Sequence, residues 1–516
     1  MIGRATRRLI LTIGLSVACA GLGLAQDAGQ VLRVTVGFNT LKNTNQATMS
    51  AETRAEVDRL SRMAQEANAA GKYGDALKHL YHGMSVMRGQ PWTPARAFGS
   101  ALTIKLERAV IEPSQTLVVN LGQIFSLDEK LDGKLTGTIA LLKVQGDDPV
   151  KVLKTLDPFD QDLALHPSKV QVIVPDVPDG NYRLSVRIQS PGAGAEPIVK
   201  NSTVHIERGL VSEIAGARAR LAKIEKKLKP GSPGSNDTLL AALSSADYKL
   251  SLTDLANEGT INFDRIDFRA ELNEAVSMLK DLEAGRDPLA ARRGDFKKAY
   301  RSKVDNTLQP YRIFVPAGYD RTKSHPLVIA LHGMGGDENS YFDGYANGAF
   351  KVEADKRGYL VACPKGRQPA SMYRGPAEQD VMDVLAEVRR VYNVDSDRVY
   401  LTGHSMGGFG TWAIATHHPE VFAALAPVAG GGNPLDLSKI IQIPELVVHG
   451  DADMTVRVES SRTMVEAAKK LGIEVKYIEV PKGSHINVVV PTFKDVFDWF
   501  DAHRRKAADA KAAAQR

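Results

Sequence analysis

The chain has 516 residues, of which 43% are hydrophobic and 24% charged, the balance of ordinary water-soluble globular protein, which excludes a disordered or fibrous chain. Its net charge of +6 is small for this length, and Arg4, Arg7 and Arg8 at the N-terminus carry part of the surplus. What remains is too dispersed to make nucleic acid or an anionic membrane surface a partner.

Residues 1–25 read as a secretory signal: three Arg, an apolar run from Leu9 to Leu24, and small residues ending at Ala25. The run is shorter than a membrane span requires, so the expectation is an exported chain, periplasmic or secreted, with no permanent span once the signal is removed. The two cysteines are Cys19 and Cys363. The mature chain therefore holds a single thiol and no internal disulfide, and Cys363, ending an apolar run, reads as a small core residue.

Residues 26–99 form an N-terminal segment with a helical hairpin over 52–87, carried by Val57, Leu60, Ala64 and Ala67, a Gly71–Gly74 turn, then Leu77, Leu80, Met84 and Met87. From 100 to 207 short alternating runs such as Tyr182–Ile188 and turn signals such as Asp179-Gly180-Asn181 predict a small β-sandwich. Without Trp it is poorly supplied for stacking on sugar, and it reads as a spacer. Residues 208–287 carry three helical stripes, from Leu210, Leu239 and Phe268, that predict a short linker bundle, with a Pro230–Ser235 loop between the first two. Lys223, Lys226, Lys227 and Lys229 read as the solvated face of its first helix.

Across 288–503 apolar strand-like runs (311–315, 327–331, 359–363, 399–401, 446–448, 475–480) alternate with helical segments near 378–392, 407–417, 457–471 and 491–503. That alternation predicts an α/β domain, a mainly parallel sheet with helices on both faces. The 504–516 tail is rich in Ala, Lys and Arg and reads as a frayed helix end.

The chemistry lies in this domain. Gly403-His404-Ser405-Met406-Gly407 fits GxSxG between a strand-like Val399–Leu401 and a helical Gly408–Thr416, the strand, sharp turn and helix that a nucleophile elbow needs. Gly403 and Gly407 answer to crowding beside the serine. A serine hydroxyl needs a base, and in this arrangement the chain order is serine, acid, histidine. His485, on a loop after 475–480, supplies the base. Asp453 in His449-Gly450-Asp451-Ala452-Asp453 supplies the acid, since a loop must first turn away from its strand; Asp451 is the alternative. A metal site at His449, Asp451 and Asp453 lacks a recognised ligand spacing, so neither metal nor cofactor is expected. Gly333 in His332-Gly333-Met334-Gly335-Gly336 lets the backbone approach substrate, and the N–H groups of Met334 and Met406 are the expected oxyanion donors. His332 reads as a buttress of that loop, and His404, His417 and His418 as packing or surface residues. Tyr341, Phe342, Tyr373 and Arg374 are expected to shape pockets beside the site.

Residues 296–503 resemble the α/β-hydrolase superfamily, in detail secreted bacterial esterases of the polyhydroxybutyrate-depolymerase and feruloyl-esterase type, and are also similar to prolyl oligopeptidase catalytic domains. The resemblance rests on the entry Tyr311–Pro316 with Gly318-Tyr319-Asp320, the His332–Gly336 loop, the Gly403–Gly408 elbow, and the segments around Asp453 and His485. It implies a triad of Ser405, Asp453 and His485, with Met334 and Met406 as oxyanion donors. The chain departs from prolyl oligopeptidases in showing no blade repeat upstream. The expectation is an exported serine hydrolase acting on a small or oligomeric carboxylic ester through an acyl-enzyme. A serine peptidase is the alternative, and a non-catalytic scaffold a third reading; what the upstream region binds is left open.

Overall fold

The structure is a computed structural model that describes residues 28–505 apart from 130, 132, 190–196, 229–236 and 369. The expected signal segment, the Pro230–Ser235 loop and the tail beyond 505 lie outside the described residues. The described chain divides into two compact units, one of residues 28–107, 114–176 and 181–204, the other of 108–113, 177–180 and 205–505.

The first unit opens with helices α1 (Ala28–Asn45), α2 (Ala51–Ala69), α3 (Tyr73–Met87) and α4 (Pro94–Ala101). Ser50 caps α2 by accepting the Thr53 N–H, and the apolar stripes of α2 and α3 meet around Leu60, Ala64, Leu77 and Leu80. The sequence reading found this pair but not α1, whose Phe38 is fully buried against Gly83. Strands β1 (Leu102–Leu106), β2 (Val110–Ile111), β3 (Thr116–Gln123), β4 (Leu135–Lys143), β5 (Pro149–Phe159), β6 (Ser168–Ile173), β7 (Gly180–Gln189) and β8 (Ile198–Ile206) follow. They form an antiparallel β1-β3-β6 sheet and a second sheet containing β8-β7-β4-β5 in that order. In the second unit β2 pairs in parallel with His205 and Ile206.

After β8 the second unit continues with α5 (Leu210–Lys227), α6 (Asp237–Asn257) and α7 (Phe268–Glu283). The sequence assigned them to a linker bundle with narrow seams; instead they share one hydrophobic core with the sheet that follows. The reason lies in α6, which buries residues around most of its circumference, including Ala241, Ala242, Leu243, Ala246, Tyr248 and Leu250. A helix apolar on all sides must be covered on all sides. Its Ser245 hydroxyl accepts the Ala299 N–H at 3.1 Å, tying helix to strand.

The sheet has eight strands, β9 (Gly294–Arg301), β10 (Leu308–Val315), β11 (His325–Leu331), β12 (Leu360–Pro364), β13 (Val394–His404), β14 (Ala424–Val428), β15 (Glu445–Gly450) and β16 (Val475–Val480), in the order β16-β15-β14-β13-β11-β12-β10-β9. β10 is antiparallel to both neighbours, and the strands from β12 to β16 are parallel. Side chains alternate between faces: Leu327, Ile329 and Leu331 enter the core with α9 (Pro376–Val391), α10 (Met406–His417) and α11 (Glu459–Lys470), while Val328 and Ala330 face α8 (Ala349–Arg357) and α12 (Phe493–Ala502). Because both faces are covered, these strands read as unbroken apolar runs. β9, β14 and α8 were not anticipated. β14, Ala-Leu-Ala-Pro-Val, is short and alanine-rich, which hides it. Cys363 is buried, and burial pushes its thiol well above the ordinary range.

Glu445 opens β15 fully buried, its carboxylate accepting the Trp412 indole N–H at 3.1 Å, and burial pushes its acid up to about 7. A carboxyl raised above its unfolded value stabilises the fold below the unfolded value near 4.5 and loses that contribution as pH rises through 7. The wild type should therefore lose on the order of 2–3 kcal/mol between pH 4.5 and 8 from this group. Glu445→Gln should flatten that slope in urea unfolding at the two pH values.

Candidate active site

Strand β13 runs straight into α10 through Ser405, whose backbone sits at φ 57°, ψ −117°. A non-glycine residue with positive φ is strained by roughly 1–3 kcal/mol and holds there only when its surroundings fix it. The Ser405 N–H donates to Val428 O at 2.9 Å and its carbonyl accepts the Phe409 N–H at 3.0 Å. The glycines permit the crossing: a Cβ on Gly403 would collide with the Gly407 backbone, and one on Gly407 with the Leu331 carbonyl. The result is a serine at the N-terminus of a helix, where developing negative charge is favoured.

The structure brings Ser405, His485 and Asp453 together. His485 Nε2 lies 2.8 Å from Ser405 Oγ, and its Nδ1 lies 2.7 Å from Asp453 Oδ2. Asp453 follows β15, where Gly450 packs directly on the backbone of Gly483 and Ala452 N–H donates to Gly483 O at 3.0 Å, so the loops that carry Asp453 and His485 are joined. The Asp453 carboxylate is nearly closed to solvent, and Oδ1 accepts the N–H groups of Thr455 and Val456 at 2.8 and 2.9 Å. Burial opposes its charge, but hydrogen bonds from His449, His485 and Val456 outweigh burial and hold its acid well below the usual carboxylate range. Asp451 instead accepts the Lys482 N–H at 2.6 Å and is exposed, which makes it a turn residue.

His449, weighed from sequence only as a metal ligand, is fully buried beneath Asp453. Its Nδ1 lies 2.7 Å from Ser461 Oγ, while Nε2 faces two acceptors, Val456 O at 2.9 Å and Asp453 Oδ2 at 3.3 Å, and so carries a proton. His332 buttresses its loop, with Nδ1 2.8 Å from Gly333 O and Nε2 2.8 Å from Lys365 O. Met334 lies in the turn closed by Gly336 N–H and Gly333 O, and a Cβ on Gly333 would lie 3.4 Å from Ser405 Cβ. Met406 is the first residue of α10, where helix N–H groups have no partner in the preceding turn.

Three expected pocket residues belong elsewhere. Tyr341, Phe342 and Tyr373 are at most 2% exposed and lie in the two cores, with Tyr373 filling the space left by Gly366 and Gly410. Position on a loop near the site did not distinguish a pocket wall from the packing beneath it. Arg374 is exposed. His417 and His418, for which no acid partner was evident, both lie 2.9–3.0 Å from Glu378 of α9. His404, read from sequence as a packing or surface residue, contacts the loop of His485 directly, its Nε2 2.8 Å from His485 O. One available signal was its place at the carboxyl end of the central strand, beside Ser405.

A crossover at Ser405, an eight-stranded sheet with a parallel run from β12 to β16, and loops from β11, β15 and β16 converging on the serine define the architecture. Residues 294–502, from β9 to α12, have the α/β-hydrolase fold. Within this segment, residues 373–439 match the prolyl oligopeptidase family model. A bifunctional acetylxylan esterase/xylanase of Neocallimastix patriciarum is 32% identical over 145 residues, 27% of this chain and 21% of that protein. Feruloyl esterase B of Neurospora crassa is 33% identical over 124 residues, 22% of this chain and 41% of its own length. A poly(3-hydroxyalkanoate) depolymerase C of Paucimonas lemoignei is 31% identical over 129 residues, 23% and 30% of the two chains. The chain thus spans less than half the length of each of these curated relatives.

The elbow geometry makes a direct prediction. Gly407→Ala should lower unfolding free energy by about 1–3 kcal/mol through overpacking against β11, measured by urea denaturation beside a Gly216→Ala control, where a Cβ meets nothing within 4 Å.

Proposed function

We propose that the protein is an exported serine hydrolase that cleaves carboxylic esters through an acyl-enzyme. The single observation that carries this reading is the unbroken relay from Ser405 Oγ to His485 Nε2 and from His485 Nδ1 to Asp453 Oδ2, at 2.8 and 2.7 Å. In the reaction, Ser405 Oγ attacks the ester carbonyl as His485 Nε2 takes its proton. His485 then delivers that proton to the departing alcohol oxygen. Asp453 fixes the Nδ1–H tautomer and stabilises the imidazolium. The backbone N–H groups of Met334 and Met406 hold the tetrahedral oxygen. Water, activated by the same histidine, releases the acid.

The esterase relatives support ester over amide substrates. The prolyl oligopeptidase match favours a second reading, a serine peptidase. Export is supported by the N-terminal signal pattern. Among the described residues no helix is long and apolar enough to cross a membrane.

Short aryl esters, feruloyl esters and peptide amides offered side by side should show ester turnover with amide turnover far slower; parallel turnover of both would move the peptidase reading forward. Ser405→Ala should fall to background, a loss of roughly 10⁴-fold or more in kcat, and undiminished hydrolysis in that variant contradicts the assignment. Asp453→Asn should lose about 10⁴-fold in kcat by favouring the wrong tautomer of His485. Asp451→Asn should stay within a few-fold of wild type, and the reverse order would exchange the two carboxylates.

A further inference from the structure

His404 precedes the nucleophile by one residue and is 2% exposed, yet it stands outside the proton relay. Its Nε2 lies 2.8 Å from the main-chain oxygen of His485, and its Nδ1 lies 2.8 Å from the Tyr345 hydroxyl. A carbonyl oxygen only accepts, so Nε2 carries the proton and donates it to His485 O. In a neutral ring Nδ1 then holds the lone pair, and the Tyr345 O–H donates to it. Burial, and next the charge of His485, push His404 down to about 4, which keeps the ring neutral through the working range of a histidine base. The titratable groups around it are Tyr345, His485, Asp453 and His449.

Each partner is itself fixed. His404 ends β13 in register with Val428 of β14. Tyr345 is gripped edge-on by Tyr341, with ring centroids 5.1 Å apart, and by Phe493 at 6.3 Å. His485, by contrast, sits on the loop after β16, which turns through Lys482 at φ 55°. Its imidazole is aimed by Asp453, but its backbone needs a separate anchor to the central strand.

We propose that His404 is a positioning residue that clamps the main-chain carbonyl of the base, and that Tyr345 selects the tautomer able to do so. The proposal rests on the ester-hydrolase reading above. Neutrality matters as well as reach, because the two imidazole centroids are 4.8 Å apart. When His485 takes the Ser405 proton and becomes cationic, a neutral neighbour offers its N–H dipole rather than a second positive charge. The clamp is therefore built to act as the transition state forms, when a small displacement of the base is costly in rate.

The test compares His404→Leu, His404→Gln and Tyr345→Phe with wild type in the full chain, with folding checked by circular dichroism and melting. Rates are followed on a short aryl ester as kcat, KM and pH profile. His404→Leu should lower kcat roughly 10- to 100-fold with KM nearly unchanged. His404→Gln, whose amide can still donate to the carbonyl, should recover most of that loss. Tyr345→Phe should lower kcat a few-fold and move the acid limb of the profile to higher pH, because Nδ1 loses its donor and takes a proton more readily. Wild-type kcat in a well-folded His404→Leu variant, or a His404→Gln variant as slow as the leucine, overturns the clamp. If the leucine variant does not fold, Tyr345→Phe with wild-type kcat and pH profile overturns it instead. Turnover that survives Ser405→Ala would mean that the hydrolase reading, rather than the clamp, has failed.

Discussion

The strained backbone of Ser405 is the constraint on which the site depends. At φ 57° and ψ −117° the residue turns from β13 into α10 within a single position. That turn is possible because Gly403 and Gly407 contribute no side chain where backbone meets backbone. The strain, of order 1–3 kcal/mol, is offset by the burial of strands on both sides. Leu327, Ile329 and Leu331 of β11 and Val399 and Leu401 of β13 are fully buried, and each such side chain contributes roughly 1.5–3 kcal/mol. The sheet thus holds one residue in a conformation that no local interaction favours, and that residue presents its hydroxyl outward.

Around that point, the loops are tied together by backbone contacts and by short, buried side chains. Gly450 and Gly483 bring the Asp453 and His485 loops into direct contact. His332 bonds its own loop to Lys365, and His404 bonds strand β13 to the main chain of His485. Asp453 is held by two N–H groups from its own turn as well as by histidines. Three of the buried polar residues near the relay, His332, His404 and His449, are histidines that use both ring nitrogens. A ring with two hydrogen-bonding atoms at its corners spans two backbone segments while adding little flexible chain.

Much of the α/β fold was legible because parallel strands buried on both faces are apolar runs, and because the elbow requires small residues at fixed offsets. The reading of Asp453 rather than Asp451 as the partner of His485 rested on the distance a loop needs to leave its strand, and it is the Asp453 carboxylate that lies 2.7 Å from His485 Nδ1. What escaped the sequence was of two kinds. β14 is five residues of mostly small side chains and carries little periodic signal. Tyr341, Phe342 and Tyr373 carry aromatic rings on loops, a pattern shared by pocket walls and by core, and their burial is decided by packing from α12, Gly366 and Gly410. The roles of His404 and Tyr345 are likewise tertiary: 59 positions separate two residues whose side chains meet. The first unit's α1 was hidden by weak amphipathicity, with Val31 and Phe38 as its buried residues.

The most direct test of the account is covalent labelling of the folded protein with a fluorophosphonate, followed by peptide mapping. The relay predicts stoichiometric modification of Ser405, slowed sharply when His485 is replaced by alanine. Labelling at another residue, or a well-folded chain that takes up no label, would contradict the claim that this elbow holds an activated nucleophile.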